Sequence, residues 1–334
     1  MMGLLNTPIQ VKDFVIKNRL VMPPMATAKA SPAGKVTNEL CEYYEEKSKG
    51  GYFGLIITEH SFISRQGKAH KGQVSISMDS DIKELEKIVS VIHNHNTKVF
   101  AQINHAGGAT QKEITGFDLL SASAVPLPAG RTNMFLPKEM TQSDIDKVIA
   151  DFAEGAFRAK SAGYDGVEIH SAHGYLLNQF FSPLTNKRTD KYSGATLQGR
   201  MELHLEIIHA VRKRVGNSYP IALRLGACDY MEGGITIEDS IAACKEFEKA
   251  GIDLLDISGG FCSYISPKTK RQGYFSELSE PIKKAVHIPV ILTGGITTKE
   301  AAEELLQTEK ADMIGIGRAI LRNSDLAKQI ILSL

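Results

Sequence analysis

Eight short apolar runs, each followed by a segment of helical period, recur along the chain. They cover residues 19–22, 55–58, 99–103, 166–169, 221–225, 254–257, 290–292 and 313–316. Runs of this kind, rich in β-branched residues and alternating with helical segments, are the pattern of a parallel sheet with crossover helices. Pro23 and Pro24 close the first run because neither can continue a ladder. Eight such units without a break in composition predict a closed α/β barrel, the (β/α)₈ TIM fold, rather than an open doubly wound sheet. Right-handed crossovers make that closure easy, and residues 1–334 fit one domain of this type.

The intervening helices are expected over 38–49, 81–95, 142–162, 196–215, 237–250, 277–286, 299–307 and 326–332. Thr141 ahead of Gln142-Ser143-Asp144 places a hydroxyl and an acid where a helix start has unsatisfied N–H groups. Gly163 and Gly251 stand where a left-handed C-cap is wanted. Two stretches fall outside the repeat. Residues 7–18 read as an N-terminal hairpin plugging the barrel bottom. Residues 107–140 form a long loop after the third strand, which belongs over the C-terminal face where barrel active sites sit.

Composition excludes several function classes. The 39 basic and 38 acidic residues leave a net charge of +1 with no like-charged block, so neither nucleic acid nor an anionic membrane is an expected partner. No apolar run approaches the roughly 20 residues that span a bilayer, and the N-terminus lacks a secretory pattern. A cytoplasmic location is the expectation. Cys41, Cys228, Cys244 and Cys262 are widely spaced and form no CxxC pair, so they read as free thiols rather than metal ligands.

The polar residues that stand out fall at strand ends. After the fourth run comes Glu168-Ile169-His170-Ser171-Ala172-His173-Gly174-Tyr175, two histidines and a phenol able to converge on one cavity. Imidazole N–H groups there can bind an oxygen that gains negative charge. A phenol, with a pKa near ~10, suits proton delivery to a carbanion-like centre. Two other readings stand beside this one: His-x-x-His as part of a metal site, for which no third ligand is evident, and both histidines as partners of buried backbone groups.

With these motifs in view the sequence resembles the Old Yellow Enzyme family. The resemblance is carried by Arg19-Leu20-Val21-Met22-Pro23-Pro24-Met25, by Gln102-Ile103-Asn104-His105-Ala106-Gly107, by Glu168 through Leu176, and by Phe181-Ser182-Pro183-Leu184-Thr185-Asn186-Lys187-Arg188 with its continuation to Gly194. These occur in the family's order over essentially the whole chain. The resemblance implies non-covalent FMN and NAD(P)H as electron donor. Pro24, Met25 and Ala26 would face the isoalloxazine, Gln102 its pyrimidine edge, and Arg224 the N1/O2 locus, where a guanidinium stabilises reduced flavin. Taken alone, Gln102 reads as a barrel-interior amide and Arg224 as a layer ion pair with Glu168. Phosphate is expected at Gly294, Gly295, Gly317 and Arg318 beyond the last two strands, with Ser258, Gly259 and Gly260 adding to the site. Metal ligands are not expected.

Several positions depart from the family pattern. Ala26 stands where many members have a cysteine or threonine, with Thr27 one residue on. Ala28 replaces a tyrosine of another subgroup. His60 occupies a position that is usually small beside the flavin, where it contacts the ring or lines the wall. The chain also carries neither the cysteine-rich cluster segment nor the second nucleotide domain of the longer enoate reductase relatives. The expected activity is NAD(P)H-dependent reduction of an enone or enoate C=C bond, with His170 and His173 on the substrate oxygen and Tyr175 as proton donor, in a protein free to form a homo-oligomer. Two alternatives stay open: a non-flavin aldolase or isomerase acting on phosphorylated compounds through Glu59 or Glu168, and a flavin-binding protein without efficient turnover.

Overall fold

The computed structural model describes residues 3–128 and 136–333. It begins with a hairpin, β1 (Ile9–Val11) paired antiparallel with β2 (Phe14–Ile16). The barrel strands follow: β3 (Leu20–Met22), β4 (Leu55–Phe62) and β5 (Lys98–Asn104). After a small parallel pair, β6 (Leu120–Ser121) with β7 (Lys138–Glu139), come β8 (Gly166–Ser171), β9 (Ile221–Gly226), β10 (Leu254–Ser258), β11 (Val290–Thr293) and β12 (Met313–Gly315). The order β3-β4-β5-β8-β9-β10-β11-β12 closes on itself, and all its pairings are parallel. This is the (β/α)₈ barrel that the strand repeat predicts.

The outer layer is built from α1 (Asn38–Ser48), α2 (Ile82–His93), the short α3 (Lys112–Thr115), α4 (Gln142–Ser161), α5 (Leu176–Phe181), α6 (Leu197–Val215), α7 (Ile237–Ala250), α8 (Ser276–Lys283), α9 (Lys299–Gln307), α10 (Arg318–Arg322) and α11 (Leu326–Leu332). Threonine hydroxyls start several of them. Thr141 and Asp144 cap α4 reciprocally, as Thr236 and Asp239 do α7, satisfying two N–H groups at each start. Gly163 (φ +87°) and Gly251 (φ +114°) take the left-handed conformation that ends α4 and α7. The expected helix over 277–286 stops three residues early, at Lys283, and α8 carries Pro281 within it.

The barrel interior is divided along its axis. Its lower part is apolar, with Val21, Leu55, Ile57, Phe100, Ala222, Leu254, Ile291 and Met313 packed in one cluster. Val11 and Ile16 of the hairpin are buried in that same cluster, so the hairpin does plug the bottom. Above it the interior turns polar, at Gln102, Glu168, Arg224 and Asp256. Function is thereby confined to the upper, C-terminal end. The 107–140 loop contributes α3, β6 and β7, and its residues 129–135 lie outside the described residues.

Candidate active site

A cavity of about 570 Å³ opens at the C-terminal ends of the strands. Pro23, Pro24, Met25 and Ala26 line it from the loop after β3, Gln102 from β5, and Arg224 from β9. His60, His170, His173 and Tyr175 form one wall, and Gly295, Gly317 and Arg318 lie toward the last strands. Twelve of the site positions named from sequence therefore share one space, with Pro23 beside them. Ser258, Gly259, Gly260 and Gly294 do not line it. Ser258 instead lies behind His173, its hydroxyl 2.8 Å from Nε2. A Cβ on Gly259 would strike Cys262 Sγ, and one on Gly260 the carboxylate of Asp229, so both glycines serve packing of the loop after β10. The Gly294 carbonyl accepts from the N–H groups of Gly273 and Tyr274, anchoring the loop before α8.

The two histidines converge because β8 ends in a tight turn. His170 is still in the strand, level with Arg224 of β9. His173 (φ +60°) and Gly174 (φ +73°) are both left-handed, which reverses the chain; for His173, a residue with a Cβ, that conformation carries strain. The turn is held by the Gly174 N–H donating to Asn178 Oδ1 at 2.7 Å. As a result the His170 and His173 rings meet edge-on at 5.2 Å, and Tyr175 packs 5.2 Å from His170. When the Ser258 hydroxyl donates to His173 Nε2, the imidazole proton sits on Nδ1. α5, which follows at once, escaped sequence reading because all six of its residues are buried and it has no polar face to mark its period.

The polar layer beneath the cavity has an unbalanced charge. Gln102 Nε2 donates to Glu168 Oε1 at 2.8 Å, while the Arg224 guanidinium is ion-paired with Asp256 at 3.3 Å. Arg224 thus pairs with Asp256, not with Glu168 as the layer alternative supposed. Burial pushes the Glu168 carboxyl well above the usual range, with the Asp256 charge adding to it and Arg224 and Gln102 opposing. Burial raises Asp256 too, against Arg224. One guanidinium faces two enclosed carboxylates, which is why both are pushed above the usual carboxylate range.

Near the last strands, Arg318 is set by two tyrosines that sequence reading missed. Its Nη2 donates to the Tyr274 hydroxyl at 3.0 Å, its guanidinium lies 5.5 Å from the Tyr264 ring, and Tyr274 in turn donates to the Tyr264 carbonyl at 2.6 Å. Both tyrosines come from the 261–275 loop, where their only signal was proximity to a strand end. A flavin mononucleotide fits this donor set. Thr293 Oγ1, a buried hydroxyl on a lining residue, makes no hydrogen bond within the protein, and the Arg224 guanidinium, paired with Asp256 through Nε, lines the same cavity. An anionic ring edge and a phosphate are groups that such donors bind.

The Phe181–Gly194 motif turns out to be scaffold. Ser182 donates to Asp229 at 2.6 Å, Asn186 Nδ2 to the carbonyls of Phe180 and Tyr192, and Arg188 Nη1 to those of Ala122 and Met140. It ties the long loop to the βα loops around the mouth.

A barrel with a polar mouth where two imidazoles and a phenol meet has the form of an enzyme's ligand site. The chain belongs to the NADH:flavin oxidoreductase / NADH oxidase family, whose model matches residues 4–333. This is the Old Yellow Enzyme group that the motifs resemble, whose members bind FMN and use NAD(P)H. Curated relatives include an NADH oxidase of Thermoanaerobacter brockii, 38% identical over 96% of this chain and 49% of the relative. An NADPH dehydrogenase of Listeria welshimeri is 36% identical over 100% of this chain and 96% of its own length. The chain spans about half the length of the first of these and of a metal reductase of Desulforamulus reducens (37% identical, 48% covered). Among solved structures, a 2-naphthoyl-CoA reductase complex superposes with a TM-score of 0.92 at 28% identity, over 99% of this chain and 52% of that one. An old yellow enzyme homologue from Zymomonas mobilis gives 0.85 at 27%, over 97% and 91%.

Membership removes the non-flavin aldolase or isomerase alternative. Its candidate bases are engaged elsewhere: Glu59 accepts from Thr27, and Glu168 from Gln102. No helix among the described residues is long and apolar enough to cross a membrane.

Proposed function

We propose that residues 1–334 act as one FMN-binding unit that uses NAD(P)H to reduce the C=C bond of an α,β-unsaturated carbonyl compound. The observation that carries this reading is the convergence of His170, His173 and Tyr175 on the wall of the cavity that Arg224 and Thr293 also line. FMN, when bound, supplies the site that accepts hydride from NAD(P)H and returns it to the alkene. Pro24, Met25, Ala26, Gln102 and Arg224 would hold the ring, and Gly295, Gly317 and Arg318 the phosphate.

The protein's own residues supply the rest. His170 and His173 bind the carbonyl oxygen and stabilise the negative charge it gains, which favours hydride addition at Cβ. Ser258 fixes the His173 ring. Tyr175 delivers a proton to Cα. Arg224, held in place by its ion pair with Asp256, presents its guanidinium at the cavity wall where the ring would lie. Substrate and nucleotide take turns over the same face, so no separate dinucleotide domain is required.

Anaerobic titration with NADH and NADPH, followed by a panel of enones, tests the reading. Bleaching of the flavin by one nucleotide and reoxidation by an enone, with formation of the saturated ketone, is the expected result. Bleaching without reoxidation by any activated alkene would reduce the protein to a flavin-binding one without this turnover.

A further inference from the structure

We propose that His60 is a third hydrogen-bond donor to the ligand, one that suits the pocket to alkenes carrying an acceptor oxygen at both ends, the 1,4-ene-diones and quinones. The inference rests on the reading above, in which His170 and His173 hold one carbonyl oxygen.

The backbone is built to turn His60 inward. β4 and β5 pair in register as far as Thr58 with Ala101, and resume at Ser61 with Ile103. Glu59 and His60 therefore face Gln102 alone, which is a β-bulge. Along an unbroken strand His60 would share the side of Ile56, which packs in the outer core, whereas Leu55 and Ile57 pack inside the barrel. The bulge carries it into the cavity instead. The bulge is anchored on both sides: the Glu59 N–H donates to the Tyr44 hydroxyl at 2.8 Å, and the Glu59 carboxyl accepts from Thr27 at 2.6 Å.

The neighbours of His60 also fix its proton. Gln73 Oε1 accepts from the Ala69 N–H at 2.6 Å, which makes the other end of that amide the NH₂ group. This NH₂ donates to the His60 carbonyl at 3.0 Å and lies 3.1 Å from His60 Nδ1. Asn104 Nδ2 is 3.1 Å from the same nitrogen. A ring nitrogen met by amide donors accepts, so Nδ1 is bare and the proton is on Nε2. Nε2 is thus the nitrogen through which His60 donates.

Its place defines what it binds. Tyr175 has His60 and His170 as neighbours at the same ring separation, 5.2 Å, and those two rings are 6.0 Å apart. A substrate with one carbonyl on His170 and His173 and its Cα at Tyr175 brings the substituent at the other end of its double bond toward His60. A carbonyl oxygen there can accept from His60 and a methylene group cannot, which favours the dicarbonyl ligand.

The test compares cyclohex-2-ene-1,4-dione with cyclohex-2-enone, which differ only in the second carbonyl, on the FMN-loaded enzyme. The kcat/KM ratio of dione to enone should fall at least tenfold in His60→Leu, chiefly through KM for the dione. It should return to within threefold of wild type in His60→Gln, whose amide restores a donor. A ratio that does not change in His60→Leu overturns the proposal. A second arm needs no turnover: the affinity of 4-hydroxybenzaldehyde relative to 4-methylphenol, read from the long-wavelength band of each phenol over oxidised flavin, should fall by the same factor in His60→Leu. If neither alkene is reduced but the phenol ratio falls, the reading of His60 stands and the proposed reaction does not; an unchanged phenol ratio overturns it.

Discussion

The Thr27 hydroxyl donates to the Glu59 carboxyl at 2.6 Å, across the gap between the loop after β3 and the bulge of β4. Thr27, one residue beyond the position where many family members have a cysteine or threonine, is thereby engaged with an acid, and Ala26 is the residue that lines the cavity. Burial pushes the Glu59 carboxyl up to about 7, against the hydrogen bonds from Thr27. An unfolded glutamate releases its proton near 4.5, so between these values the folded state holds the extra proton and stability falls as pH rises. A shift of this size corresponds to roughly 3 kcal/mol at most. Glu59→Gln keeps an acceptor for Thr27 but cannot ionise. Urea unfolding at pH 5 and pH 8 should show the wild type losing about 2–3 kcal/mol more than the variant. Identical pH dependence would mean that Glu59 is not a buried acid.

Ser258 reaches the ligand only through His173. Removing one neutral hydrogen bond costs about 1 kcal/mol, so Ser258→Ala should weaken phenol binding to the oxidised enzyme about fivefold. Replacing His170 and His173 together with alanine should abolish the phenol band while flavin stays bound. A double variant that retains the band would show that the oxyanion is held by other groups.

Tyr175 and the histidines are expected to separate kinetically. Tyr175→Phe keeps the ring contacts with His60 and His170 and removes only the acid. Reduction by NAD(P)H should proceed nearly as in wild type, whereas enone reduction should fall by ~10²–10⁴-fold. Nitroalkenes, whose Cα anion is stable, should still be reduced and accumulate as nitronates. Equal slowing of both half-reactions in rapid-mixing experiments would make Tyr175 a wall residue and leave protonation to water.

Arg318 owes its position to Tyr274. A hydrogen bond to a charged group is worth ~1.5–3 kcal/mol, so Tyr274→Phe should raise the FMN dissociation constant by about tenfold or more. Flavin fluorescence quenching on reconstitution of the apoprotein measures this directly. Riboflavin, which has no phosphate, should bind the variant and the wild type alike.

What was legible in the sequence follows the physics of each feature. The strands and most helices could be read because long-range burial imposes a periodic pattern on them, and their ends because threonine caps and left-handed glycines are local chemistry. The paired histidines could be read because they lie within four residues at a strand end. Four kinds of feature could not. α5 has no exposed face. The β4 bulge is a property of pairing with β5, so the inward turn of His60 is invisible in β4 alone. The Arg224–Asp256 pair joins two strands whose register no local pattern encodes. Tyr264 and Tyr274 reach Arg318 through a loop with no periodicity. The glycines after β10 and β11 read as phosphate-binding from composition and strand position, yet Gly259 and Gly260 are required by packing and neither they nor Gly294 line the cavity.

The hairpin gives the clearest separation of stability from function. Ile16 is fully buried and closes the apolar lower cluster together with Val11, whereas Val15, its neighbour in β2, is 57% exposed. Alternation along a strand makes the two residues a matched pair, one facing the barrel and one facing solvent. Ile16→Ala removes three carbons from a close-packed site beneath Leu55, Phe100 and Leu254, where the strands cannot move inward to refill the space. The expected cost is ~2–5 kcal/mol. Val15→Ala should change stability by no more than about 0.5 kcal/mol. Because the polar layer of Glu168, Arg224 and Asp256 separates this cluster from the cavity, neither variant should alter FMN affinity or the phenol band. Denaturant unfolding of the two variants, with flavin affinity measured alongside, decides the point. Loss of flavin in Ile16→Ala at temperatures where the barrel is still folded would show that the plug supports the cofactor site, and that the division between the two ends of the barrel is not the one drawn from its packing.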